Sequence, residues 1–322
     1  MSSVRLDKLA GLIEWPDDDA RSEAVQLLRG RREDPLGRLG DSAAWLAAVT
    51  GQCPPPALHR AKLVVFTDDG ALPEVVRRVA TGSLRMAAGA RADGGATEVW
   101  DALTKGALLA DSEADAGTDL LLLAAPSEAA RIPAATLIAF VNEADAQTVA
   151  STLRGDQEWM RMVSAVRDNL RRMRRATPED PIALLEAIGG TEIAHLTGVI
   201  LGAAARRTPM LFEGLACTAA ALMAHRIAVA AGSWFMPAHA DPDPASSAGL
   251  RHMGRSALLD VGLFPGDGIA VVLAAGMLEA AAAAMSGDER GAGGGETWFN
   301  DPLSALSEPP PDPASDSAPG DA

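Results

Sequence analysis

Asp267 stands between two glycines, Gly266 and Gly268, where an apolar run beginning at Ile269 starts to repeat at helical spacing. Ile269, Val272, Leu273, Gly276 and Met277 carry that helix, so the aspartate lies at its N-terminus, where the helix dipole favours negative charge. It is the leading candidate for chemistry in the chain. A polar loop carrying His239, Asp241 and Asp243 precedes it, and the stretch from Pro209 to Leu278 reads as strand, helix, strand, polar loop and Gly-Asp-Gly turn. A second acidic group, Asp68 with Asp69, directly follows the apolar run AKLVVF at 61–66. Open α/β sheets bind ligands at the carboxyl ends of their strands, so these carboxylates are either ligand-facing or an ordinary solvated turn.

The elements that must position these groups alternate along the chain. AKLVVF at 61–66 and DLLLLAA at 119–125 are short, continuous apolar runs of the kind buried in parallel sheets, and MLF at 210–212 and SWFM at 233–236 read as further strands. Between them, Asp180 and Pro181 make an N-cap pair with Gly189 and Gly190 as the stop. Ile193, Leu196, Thr197, Ile200 and Leu201 share one face of a helix from about Thr191, and Leu215, Ala219, Leu222 and Met223 mark the next. Near the N-terminus, Leu39, Trp45, Leu46 and Val49 share a face if a helix starts near Asp41. Strands alternating with helices imply parallel βα units, hence an α/β fold with a sheet covered on both faces. Residues 71–117 show only a weak helical pattern. The arginines Arg161, Arg167, Arg171, Arg172, Arg174 and Arg175 read as a solvated helix face rather than a phosphate site. From 307 to 322 the Pro, Ser and Asp content cannot bury enough surface to offset ordering, so a disordered tail is expected, with 296–306 either docked on the body or binding a partner.

With 322 residues the chain can bury a large core, and a net charge of -15 argues against a nucleic-acid partner, which requires clustered Lys and Arg. The N-terminal stretch is interrupted by acidic residues where a signal peptide needs an apolar run, so cytoplasmic residence is the expectation. Cys53 and Cys217 form no disulfide framework and no zinc spacing, and His195, His225 and His252 suggest no metal. The apolar stretch Ile269–Met285, mostly Ala and broken by Glu279, is expected to be a buried helix rather than a membrane span. No G-x-G-x-x-G follows either confident strand, which leaves a dinucleotide oxidoreductase without support, and no cofactor is expected.

Three blocks carry a resemblance: DPLGRLGDSAAWLAAVTGQCPPP with RAKLVVFTDDG, then IALLEAIGGTEIAHLTGVILGAAARRTPMLFEGLACTAAAL, then LLDVGLFPGDG. In order and spacing they are similar to the nicotinate-nucleotide:dimethylbenzimidazole phosphoribosyltransferases, which make the α-ribazole phosphate of the cobalamin lower ligand. The resemblance implies a doubly wound, mostly parallel sheet and a small helical domain built from the chain ends, residues 1–55 with 286–306, beside a large domain over 56–285. It also implies a homodimer whose site at the strand ends takes a small-molecule nucleotide and an aromatic base. Asp267 matches the family's general-base glutamate, flanked as there by Gly266 and Gly268. Glu213 with Gly214 matches an Asp-Gly pair, His239 the histidine that opens a polar loop, and Asp68 the acidic turn after the first strand. Thr152 and Arg161 are what persists of one phosphate-binding loop. An aspartate in place of glutamate withdraws the carboxylate by about 1 Å, a displacement that can cost about a hundredfold in rate.

The phosphate loops depart furthest from the family. Ala124–Ile132 holds no glycine where the family has several, and Pro126 removes a backbone donor. The second loop has become Val149–Leu153, with Met162 where the family has lysine. Two functions are therefore carried forward. One is a phosphoribosyltransferase in which Arg131 and Arg161 supply charge in place of backbone amides. The other is a paralogue that keeps the fold and dimer without the chemistry and acts as a binding or regulatory partner.

Overall fold

The computed structural model describes residues 2–31, 37–67, 74, 76, 87–91, 98–151, 155–176, 178–263 and 266–286. Five strands, β1 Ala61–Phe66, β2 Ala87–Arg91, β3 Leu120–Ala124, β4 Met210–Glu213 and β5 Phe235–Pro237, form one sheet in the order β2-β1-β3-β4-β5. Every pairing is parallel. The fold is α/β, with a doubly wound parallel sheet. β3 is buried along its whole length, as expected of a central strand whose faces both meet helices, and its four consecutive leucines supply the apolar surface for both.

Twelve helices are described: α1 Ser2–Ala10, α2 Asp18–Arg31, α3 Arg38–Thr50, α4 Val99–Asp115, α5 Glu128–Val141, α6 Ala146–Val149, α7 Asp156–Met173, α8 Pro181–Ala187, α9 Thr191–Ala205, α10 Leu215–Ile227, α11 Pro244–His252 and α12 Ile269–Ser286. α4 and α9 cross backbone against backbone. A Cβ at Gly198 would lie 2.0 Å from the Leu103 carbonyl oxygen, and one at Gly106 2.0 Å from that of His195. Only hydrogen fits at either position, which explains the glycines inside two helices where they otherwise cost about 1 kcal/mol each.

Met1–Ser286 form one compact unit. Within it α2, α3 and the last turns of α12 enclose a separate apolar cluster of Ala24, Ala43, Ala44, Ala47, Ala281 and Met285. Beyond Ser286, the rest of the 286–306 segment and the 307–322 tail lie outside the described residues. By length and composition alone α12 is apolar enough to cross a membrane; here Val271, Val272, Leu278 and Ala281 are buried in the body.

The structure departs from expectation in several places. β2, sequence AAGAR, forms where only a weak helical pattern was legible, because pairing with β1 stabilises a segment that lacks β-branched residues. α11 occupies what reads as polar loop, with Asp243 as its N-cap and Pro244 at its first turn. α3 begins at Arg38 rather than near Asp41. Ser233 belongs to a 3-10 turn, Val229–Ser233, so β5 starts two residues later than SWFM suggests.

Candidate active site

The strand order places β1 beside β3 with the chain leaving them in opposite directions, which opens a crevice at their carboxyl ends. The Gly266-Asp267-Gly268 turn sits there. Gly268, at φ 107°, would bring a Cβ to 3.4 Å from Val65 of β1 and 3.8 Å from Ala124 of β3. Gly266, at φ 78°, would bring one to 2.9 Å from the Cα of Gly214, immediately after β4. Both glycines are thus required by their positive φ, and Gly266 also by its close approach to Gly214; together they seat Asp267 over the sheet.

The N-terminus of α12 exposes several backbone N–H groups that no residue of the helix can bond. Two carboxylates take them. Gly268 N–H donates to Glu213 Oε1 at 2.6 Å, Val271 N–H to Glu213 Oε2 at 2.7 Å, and Ile269 N–H to Asp267 Oδ1 at 3.2 Å. Glu213 ends β4 and is 3% exposed, whereas Asp267 is half-buried. Burial pushes the Glu213 carboxyl up to about 7 from its ordinary 4.5; the Gly268 and Val271 N–H groups oppose the rise and the charge of Asp267 adds to it. Desolvation wins because a few amide dipoles replace only part of the hydration an ionised carboxylate loses. A group titrating near 7 can hold or release a proton at neutral pH.

His239 follows β5 and bridges in parallel to Leu259. It is 6% exposed rather than an ordinary surface group, and its Nε2 accepts from the N–H groups of Val261 and Leu263 at 3.2 and 3.3 Å. Such bonding fixes the unprotonated nitrogen and hangs the 261–263 loop from the histidine. Asp241 accepts from Asp243 N–H and from the Ser246 hydroxyl, and Asp243 caps α11 through Ala245 N–H. Burial raises both carboxyls, that of Asp243 to about 6, with the charge of Asp241 raising Asp243 and that of Arg131 opposing it. Glu213, His239, Asp241, Leu263, Asp267 and Ile269 face one cavity of about 30 Å³. Four groups singled out in the sequence, Asp267, Gly266, Glu213 and His239, therefore line one cavity, with Gly268 bonded to Glu213 beside it. Asp68 and Thr152 lie outside the described residues.

A family model described as Phosphoribosyltransferase matches residues 68–292. The nicotinate-nucleotide:dimethylbenzimidazole phosphoribosyltransferase of Streptomyces avermitilis is 34% identical over 343 residues, covering 88% of this chain and 90% of its own. That of Mycolicibacterium paratuberculosis is 34% identical over 323 residues, covering 84% and 92%. This chain belongs to the nicotinate-nucleotide:dimethylbenzimidazole phosphoribosyltransferase family. Among solved structures, CobT from Thermus thermophilus shares the fold, with a TM-score of 0.73 at 22% identity over 83% of this chain and 96% of that one.

Against the family pattern, the glycine-free segment after β3 is replaced by side-chain bonding. Ser127 caps α5 by accepting from Ala130 N–H and donates its own hydroxyl to Glu192 at 2.7 Å. On the next turn Arg131 reaches Glu158 of α7 at 3.3 Å, and Glu158 also holds Arg161 at 3.2 Å. Arg131 is nearly buried and Arg161 is 72% exposed, so two guanidinium groups of a phosphoribosyltransferase-family chain share one carboxylate and retain a net positive charge. Arg161 lies outside the Glu213 cavity; the link between them runs through Glu158, Arg131 and the Asp241-Asp243 loop. Neither Arg131 nor the anchoring function of Glu213 carries a motif of its own in the sequence. The nearest available signal was the α11 cap, since Asp243-Pro244 repeats the Asp180-Pro181 signature.

Proposed function

We propose that this chain transfers the phosphoribosyl group of nicotinate mononucleotide to dimethylbenzimidazole or a similar base, yielding α-ribazole phosphate and nicotinate. One ring nitrogen of the base attacks the ribose carbon, the bond from that carbon to the nicotinate nitrogen breaks with its electron pair leaving on nicotinate, and the proton on the other ring nitrogen passes to a carboxylate. Asp267 is the acceptor: Oδ1 is held by Ile269 N–H, and Oδ2 is the oxygen available to the substrate. Glu213 is a positioning residue that ties the α12 N-terminus to the end of β4. The observation that carries the proposal is this pair of carboxylates in one cavity at the switch point of the sheet.

A cavity of about 30 Å³ holds about one water, so a bicyclic base enters by displacing Leu263 outward. The two long hydrogen bonds from the 261–263 loop to His239 are the contacts given up, and they are individually weak. Arg131 and Arg161 take the 5′-phosphate in place of the missing glycine amides, with Glu158 orienting both. The proposal includes cytoplasmic residence, a homodimer and a division into a small helical and a large α/β domain, the last two resting on the family resemblance; sedimentation tests the homodimer.

The specific observation favouring a non-catalytic paralogue is Pro126 in the turn after β3, where a backbone donor is lost. Calorimetry with nicotinate mononucleotide and with dimethylbenzimidazole separately, followed by assay for α-ribazole phosphate, decides between them. The enzyme binds both and forms product, and Asp267→Ala lowers turnover by about 10²- to 10⁴-fold without unfolding the chain. Binding of the base alone, with no product, establishes the paralogue instead.

A further inference from the structure

A cavity of about 680 Å³ shares no lining residue with the Glu213 site. It lies between the N-terminal helices and the edge strand β5, with Trp15, Arg21 and Trp45 on one side and Phe235 and Arg255 on the other. Its size falls in the range of small-molecule sites, about 300–1,000 Å³. Trp15 is 64% exposed, an unusual cost for the largest side chain unless something covers it, whereas Trp45 is buried and fixed by its indole N–H to the Ser233 carbonyl.

The charges in the cavity are unevenly placed. Asp17, Asp18 and Asp41 line it too, but all three are exposed to water at the rim, and Asp17 Oδ1 is occupied by Ala20 N–H at the start of α2. Arg38 is used on the Ala257 carbonyl. Arg255 is half-buried, and among the described residues neither it nor Arg21 has a carboxylate in ion-pair contact; its neighbour is the Phe235 ring, 6.0 Å from the guanidinium carbon. Behind it His225 presents a buried Nδ1 with no hydrogen-bond partner among the described residues, and a Cβ at Gly232 would touch both that nitrogen and the Arg255 guanidinium. The half-buried Arg255 and the exposed Arg21 therefore line the cavity without an ion-pair partner among the described residues. Burial and the charge of Arg21 both lower the Arg255 pKa, which records the same unfavourable crowding. Two guanidinium groups that face one space with no carboxylate in ion-pair contact are stabilised when an anion joins them.

We propose that this cavity is a second binding site, taking a small flat-ringed molecule that bears a carboxylate or phosphate, with the oxyanion between Arg21 and Arg255 and the ring against Trp15. The test titrates the full chain with benzoate and with phenyl phosphate, using benzyl alcohol as the neutral control, and reads tryptophan emission and calorimetry. Both anions give saturable quenching that the alcohol does not, and Arg21→Ala, at an exposed position that leaves the fold intact, weakens both by about tenfold. Arg255→Ala does the same, and Arg255→Lys restores part of the affinity if the truncation perturbs packing. A stronger response to phenyl phosphate identifies phosphate as the physiological group, and a stronger one to benzoate identifies carboxylate. No saturable response, as when a second copy of the chain fills the space, overturns the proposal, and so does binding that survives in the Arg21→Ala/Arg255→Ala double variant.

Discussion

Glu213→Gln separates what burial does to this carboxyl from what its hydrogen bonds do. In the native chain the carboxyl titrates at about 7, against 4.5 when unfolded. The native state therefore binds a proton more tightly than the unfolded chain, so this group's contribution to stability is fully present below 4.5 and is lost as pH climbs through about 7. At about 1.4 kcal/mol per pH unit, the whole loss is about 3 kcal/mol. Glutamine is neutral throughout, has nearly the same shape, and keeps one acceptor for either Gly268 or Val271; its amide group faces the other N–H, which costs about 1–3 kcal/mol at every pH. Chemical denaturation of both proteins at pH 4.5, 6, 7 and 8 gives the difference in stability, in which the titrations of Asp241, Asp243, His225 and Glu279 cancel. The native chain is ahead at pH 4.5, and its lead shrinks by about 3 kcal/mol by pH 8, enough to erase or reverse it. A lead that stays constant to within about 1 kcal/mol across that range would refute the account of burial as the dominant influence on Glu213.

Three further outcomes follow from the same geometry. Gly266→Ala puts a methyl 2.9 Å from the Gly214 Cα at positive φ, so it lowers stability by about 1–3 kcal/mol and displaces Asp267; thermal unfolding and the α-ribazole phosphate assay read the two effects. Gly198→Ala forces α4 and α9 apart against a 2.0 Å contact, so its loss in stability, about 3 kcal/mol or more by denaturation, exceeds that of Gly266→Ala while leaving the distant turn chemistry intact in whatever fraction folds. His239→Ala removes the acceptor for Val261 and Leu263 N–H; it costs about 1–2 kcal/mol and speeds hydrogen exchange at those two amides specifically.

The central strands and the main helices were legible because each carries its own period: β3 is an unbroken apolar run and α9 repeats on one face. β2 was not, because AAGAR has neither branched side chains nor alternation and becomes a strand only by pairing with β1. At the site, Asp267 and its two glycines were readable from the turn they make. The role of Glu213 was not: it depends on bonds to Gly268 and Val271, 55 and 58 residues later, and on a strand order that no local pattern specifies. The pairing of Arg131 with Arg161 through Glu158 is hidden for the same reason, since α5 and α7 meet only in the folded chain.

Where Gly214 meets Gly266, main chain touches main chain with no side chain between them. The height of the Asp267 carboxylate above the sheet is consequently indifferent to how the surrounding alanines, leucines and valines are reshuffled over evolutionary time. Substitution elsewhere around the turn leaves the seat of the acid where it is, so long as neither of these two positions acquires a β-carbon.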